Sequence, residues 1–134
     1  MSKRIKKTDY VALAEFRYAL RKFFRFSEEA AEGLGIEPKQ YQALLAVQGF
    51  PGRERITIGE LAEQLQIRHH SAVGLVNRTV TEGLLKREVG VEDRREVYVI
   101  LTSKGKDVLE NLATAHREEL RQFGPQIKAF LERP

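Results

Sequence analysis

The residues of this 134-residue chain that could do chemistry are cationic and polar, and they fall in two clusters. Asp93, Arg94 and Arg95 lie in a turn-prone run, GVEDRR, between two segments with strand character. Guanidinium groups on such a tip suit phosphate oxygens, which accept charge-assisted, two-point hydrogen bonds. Gly74, Asn77 and Arg78 fall on one side of a helical wheel, a side able to offer hydrogen bonds to phosphates or base edges. Arg68, His69, His70 and Ser71 stand where that helix begins, as capping or nucleic-acid-contacting groups. Adjacent helical residues point about 100° apart, so His69 and His70 do not converge on one ion, and His116 stands alone. Neither a metal nor any other cofactor is expected. Without cysteine, disulfide, thiolate–metal and cysteine-redox chemistry are excluded. The chain shows no nucleophile elbow and no phosphate-cradling glycine loop, and Glu28, Glu29 and Glu32 read as the exposed face of a helix. An enzyme is not expected.

The elements that must position these residues are legible from periodicity. Leu13, Phe16, Leu20, Phe23, Phe24, Ala30, Ala31 and Leu34 recur at helical spacing, predicting a long amphipathic helix over 8–34 with Thr8 or Asp9 as its cap. One small domain covers such a stripe poorly, which points to an oligomer. Pro38 suits the first position of a second helix, which ends in the loop GFPGRER. Thr57 and Glu60 form a capping box at the start of a third helix, with Ile58, Leu61, Ala62 and Leu65 inward. After a tight turn at Gln66-Ile67 comes a fourth helix, to Gly83, with Ala72, Leu75, Val76 and Thr79 inward and Val73 outward beside the polar cluster. Glycine is the usual residue at such a turn, so Gln66 there implies a small conformational cost. LLKREV and EVYVIL then predict a hairpin, the second strand alternating Val97, Val99 and Leu101 with polar or outward residues. Thr102 caps a fifth helix carrying Val108, Leu112, Ala115 and Leu120. Gly124-Pro125 is expected to break it before a short final segment, QIKAFLE.

Composition sets the frame. A hydrophobic fraction of 42% with 31% charged residues fits one folded domain. The net charge of +4 permits a polyanionic partner without requiring one. The basic start, Lys3, Arg4, Lys6 and Lys7, reads as solvated charge or as added phosphate contacts. It is followed by no apolar signal region, and no run approaches the ~20 residues that span a membrane, so a cytoplasmic protein is expected.

Helix, tight turn, helix and hairpin in that order is the plan of a winged helix-turn-helix, in which the second helix fits the major groove. The segment from Asp93 to Gly105, DRREVYVILTSKG, resembles the D-x-R, five residues, L-T-x-x-G signature of the MarR family. LAEQLQIRHHSAVGLVNRTVTEGLLKRE resembles that family's recognition unit, and the resemblance extends over nearly the whole chain. It implies a mainly α fold with a small β-hairpin wing, as a single domain over 1–134. The winged helix-turn-helix would span about 38–102, flanked by dimerisation helices at about 8–34 and 103–134 that interlace across a two-fold axis. It also implies that Arg95 enters the minor groove with Asp93 orienting it, and that Arg94 contacts phosphate or is spare. The partners implied are double-stranded DNA, a second copy, and a small aromatic effector in a cleft lined by Phe16 and Tyr41. The cysteine-based peroxide-sensing branch of the family is excluded. Two departures stand out: Thr79 replaces a large aliphatic residue, shifting packing toward Val80, and the early end implies a short last helix and a smaller dimer interface. The reading is a homodimeric regulator of transcription, a repressor. The competing reading is a winged protein-interaction module without specific DNA binding.

Overall fold

The computed structural model describes residues 4–90 and 92–132, so Lys3 of the basic start and Val91 of the hairpin tip lie outside the described residues. Helix α1 (Lys7–Gly33) begins one residue earlier than expected. Its cap is Lys6 rather than Thr8 or Asp9, because the Asp9 carboxylate reaches back to accept the Lys6 N–H at 2.9 Å. Lys6 and Lys7 thus open a helix, with both side chains exposed. Helix α2 (Pro38–Gln48) follows, then strand β1 (Ile56–Thr57), helices α3 (Ile58–Leu65) and α4 (His69–Thr81), strands β2 (Leu85–Val89) and β3 (Val97–Leu101), and helix α5 (Ser103–Leu131).

Strand β1 was not expected, since two residues carry no readable alternation. It pairs antiparallel with β3, Ile56 opposite Val99, and makes the hairpin a three-stranded sheet ordered β1-β3-β2. Ile56, Leu61, Leu75, Val76, Leu84, Leu85 and Val99 are fully buried with Leu44 and Val47 of α2 in one apolar core. That core is the inner face of all three central helices and of the sheet.

Helix α5 corrects two expectations. It runs unbroken through Gly124-Pro125, so QIKAFLE is its last two turns and not a separate segment. A proline inside a helix removes the bond to the carbonyl four residues back and costs about 3 kcal/mol. Packing on both sides of the proline offsets this: Phe130 stacks on Phe16 of α1 with centroids 4.8 Å apart, and the buried Phe123 lies 6.2 Å from Phe23. The inner face of α5 is Leu109, Leu112, His116 and Phe123, whereas Leu120 is exposed and Val108 and Ala115 are only half-buried.

Helix α1 is corrected in the same sense. Its buried residues are Ala12, Ala19 and Ala31, while Leu13, Phe24 and Leu34 are exposed. The alanines are buried at the centre of the helix face, Phe16 and Phe23 pack half-buried on α5, and Leu13 and Phe24 are left outside that contact. Between the helices, His116 is buried with both ring nitrogens engaged: 2.6 Å from the Leu112 carbonyl and 2.7 Å from the Ser27 hydroxyl. A carbonyl only accepts, so Nδ1 carries a proton and donates it to Leu112, while Nε2 is hydrogen-bonded to the Ser27 hydroxyl. Tyr41 of α2 stacks on the imidazole at 4.5 Å. The histidine that the sequence left unassigned joins α1, α2 and α5.

Candidate nucleic-acid interface

The capping box that starts α3 forms as its spacing implies. Thr57 N–H donates to the Glu60 carboxylate at 2.8 Å, and Glu60 N–H donates to the Thr57 hydroxyl at 3.1 Å. Arg53 adds an ion pair to the same carboxylate. Partial burial works to raise the Glu60 pKa, yet the Thr57 hydrogen bonds and the Arg53 charge together hold it below the usual carboxylate value. At the end of α3, Gln66 takes the left-handed conformation, φ 54°, where glycine is the usual residue. Ala62, one turn earlier, is buried.

This turn presents α4 with Ala72, Leu75, Val76 and Thr79 inward. The Thr79 hydroxyl donates to the Leu75 carbonyl at 2.7 Å, which lets a polar residue occupy a fully buried site, with Val80 half-buried beside it. Arg68 is the residue preceding the helix; with His69, His70 and Ser71 it forms an exposed polar group at the N-terminal end of α4. Asn77 and Arg78 are exposed farther along, and Gly74 and Val73 are half-buried. Arg78 is not free: its guanidinium makes a two-point ion pair with Glu37 at 3.0 and 3.2 Å. Asn77 accepts a hydrogen bond from Arg87 of β2. Neither partner was foreseen. Glu37 is 41 positions away in sequence, beyond any local pattern. Arg87 had a signal, since strand alternation puts it on the face of Leu85.

The wing is built from its base outward. Thr102 donates its hydroxyl to the Gly83 carbonyl at 2.6 Å and accepts the Gly105 N–H at 3.0 Å, tying the hairpin to the start of α5. A Cβ on Gly105 would collide with the Leu84 carbonyl, so the glycine of LTSKG is required by close packing. At the tip, Asp93 accepts three hydrogen bonds from Arg95: from its N–H at 2.9 Å and from two guanidinium nitrogens at 3.2 Å each. The guanidinium bonds, then the backbone bond, hold the Asp93 carboxyl below the usual carboxylate range. Arg95 is thus oriented but exposed, and Arg94 is exposed beside it.

The two residues expected to line an effector cleft are apart. Phe16 lines a groove of about 350 Å³ between α1 and α5, with Ala12, Ala19, Gln126 and Phe130. Tyr41 is buried against His116 and is not among the residues lining that groove. Among the described residues no three His, Asp or Glu side chains gather as a metal site, and no helix is long and apolar enough to cross a membrane.

Comparison with known proteins bears on this arrangement. Over 97% of its length the chain is 28% identical to the transcriptional activatory protein BadR of Rhodopseudomonas palustris, covering 74% of that protein. Its fold is that of AbsC, a MarR family transcriptional regulator from Streptomyces coelicolor, with a TM-score of 0.75 at 20% identity over 91% of this chain and 82% of that one. It is also that of a mutant MarR from E. coli complexed with operator DNA, with a TM-score of 0.67 at 24% identity over 81% and 76% of the two chains. A mutant MepR from S. aureus bound to an oligodeoxyribonucleotide gives a TM-score of 0.67 at 20% identity over 95% and 94%. Residues 34–96, from the end of α1 to the wing tip, match the MarR family. That segment carries Asp93 and Arg95 of the signature, and the relative and the structural neighbours that the chain resembles are transcriptional regulators.

Proposed function

We propose that this chain binds specific sequences of double-stranded DNA as a homodimer and thereby regulates transcription. The observation that carries the reading is the joint presentation of an exposed polar helix face and a hairpin whose tip arginine is held in place by Asp93. Such a pair of elements fits a major groove and the backbone or minor groove beside it. Gly74 supports it. A glycine within a helix costs about 1 kcal/mol relative to alanine, yet a Cβ there would make only an ordinary 3.5 Å contact with Arg78. The fold does not require Gly74, whereas close approach of a nucleic-acid backbone to α4 would. Arg68, His69, His70, Ser71, Asn77, Arg94 and Arg95 are the further contacts in this reading, and Arg78 joins them by exchanging Glu37 for DNA. Two structural neighbours of the same fold, the MarR and MepR mutants, were solved with DNA.

The domain divides accordingly. Residues 38–102 bind DNA, and α1 with α5 joins two copies through the apolar side chains they leave exposed. We propose repression, since a dimer seated across a promoter blocks polymerase by occupancy alone. Activation, in the name of the Rhodopseudomonas relative, needs a favourable polymerase contact as well, and a reporter with the selected site inside or upstream of a promoter separates the two. Effector control has no support from Phe16 and Tyr41 as one pocket, because they do not meet within a protomer. The protein acts in the cytoplasm, beside its DNA.

Selection from random duplexes tests the reading. The expected result is an inverted repeat with half-site centres about 10 bp apart and binding that weakens steeply with salt. Enrichment of no sequence, with equal weak binding to any duplex, would favour the interaction-module reading.

A further inference from the structure

Arg87 lies outside every residue assigned to the DNA face above. In β2 it stands opposite Val99, as Leu85 stands opposite Leu101. Directly paired residues of an antiparallel sheet share a face, so Arg87 lies on the face that covers the core. Leu85 on that face is buried, but Arg87 is exposed and donates a guanidinium N–H to Oδ1 of Asn77. Among the described residues Arg87 makes no ion pair, whereas the neighbouring Arg78 is taken by Glu37. The wing strand therefore supplies a cation to the middle of the recognition face.

This changes what Asn77 can read. An asparagine that recognises adenine donates from Nδ2 to N7 and accepts the N6 amino group on Oδ1. Here one lone pair of Oδ1 already accepts from a guanidinium, so an incoming amino group must share that oxygen with a cationic donor beside it. The outward edge is then dominated by donors, the Asn77 amide N–H₂ and the further N–H groups of Arg87. Its complement in the major groove is a base presenting two acceptors, the O6 and N7 of guanine.

We infer that Arg87 is a specificity-determining residue: by engaging Asn77 it biases the recognition face toward guanine over adenine at one position of each half-site. The inference rests on the DNA-binding reading above, and its test keeps the two apart. The intact protein and its Arg87→Met, Arg87→Lys and Asn77→Ala variants are each put through selection from random duplexes. Binding is then titrated on two duplexes that differ only by G·C against A·T at the position sensitive to Asn77→Ala. The unsubstituted protein should prefer guanine there by about tenfold. Arg87→Met should bring that ratio to within about twofold and lower the salt slope by about one unit. Arg87→Lys, which keeps the charge and loses the planar fork, should keep the slope and lose the ratio. An unchanged guanine preference in both Arg87 variants overturns the inference, as does a selected site with no guanine at the Asn77-sensitive position. Failure of the unsubstituted protein to select any sequence removes the DNA-binding reading itself and this inference with it. Circular dichroism and sedimentation of each variant ensure that the ratios compare folded proteins of the same size.

Discussion

The winged lobe and the pair of long helices bury their apolar residues in different ways. In the lobe, Leu44, Val47, Ile56, Leu61, Val76 and Val99 are entirely buried, and the capping box, the Gln66 turn and the Thr102 tie close each junction with hydrogen bonds. Helix α1, 27 residues and about 40 Å long, instead buries alanines and leaves Tyr10, Leu13 and Phe24 exposed, with Phe24 at 56%. Helix α5 leaves Leu120 and Leu131 exposed as well. The lobe completes its core within one chain; the helices carry apolar surface beyond what they give each other. That difference favours assigning recognition to the rigid lobe and association to the helices.

The comparison breaks most readily at its association side. Leu13 and Phe24 are about three turns apart on one face of α1. Replacing both with glutamate sets charges against an apolar partner surface, at a cost on the order of 4 kcal/mol or more. Dissociation by roughly a thousandfold should follow in sedimentation, with the helical content and thermal unfolding of the lobe retained. A dimer of unchanged affinity would move the interface elsewhere.

Next in size is the polar joint between the two regions. His116→Ala empties a site packed by Tyr41, Phe23 and Phe26 and strands the Ser27 hydroxyl. A loss of about 3 kcal/mol is expected in denaturant unfolding. A loss below about 1 kcal/mol would show that α1 and α5 are joined without it.

Within the lobe, Glu60→Gln keeps the capping box but removes the charge facing Arg53 and the N-terminus of α3, and should cost about 1 kcal/mol at neutral pH. The folded pKa of Glu60 lies below its ordinary 4.5, so its contribution is present above that value and is lost as pH falls through the depressed pKa. The gap in melting temperature between the unsubstituted protein and Glu60→Gln should therefore close on acidification; a gap independent of pH would assign the effect to packing.

The smallest effects lie at the exposed wing tip, where, among the described residues, the Asp93 and Arg95 side chains bond only within that pair. Arg95→Ala should weaken DNA binding across sequences and lower the salt slope by about one unit, leaving unfolding unchanged. Asp93→Ala should be a milder copy, since the charge of Arg95 remains and only its orientation is lost. Equal salt slopes for Arg95→Ala and the unsubstituted protein would remove the wing from the DNA interface.

Local chemistry determined much of this from the sequence alone. Thr57 and Glu60 specify a helix start because both hydrogen bonds close within four residues. Pro38 opens α2 for the same local reason, and the alternation about Val99 sets the strand that must face the core. The tip cluster of Asp93 and Arg95 is as local, two residues apart. The tertiary structure decided what depends on distant partners. Strand β1 exists only because β3 lies beside it, and Pro125 stays helical because Phe123 and Phe130 find Phe23 and Phe16. Leu13 and Phe24 of α1 stay exposed because Ala12, Ala19, Phe16 and Phe23 supply the face that meets α5. Arg78 and Asn77 read as free polar groups along the chain, yet in the fold Glu37 and Arg87 hold them. A residue's type and near neighbours fix what it can bond; only the packed chain fixes which of those bonds is already made.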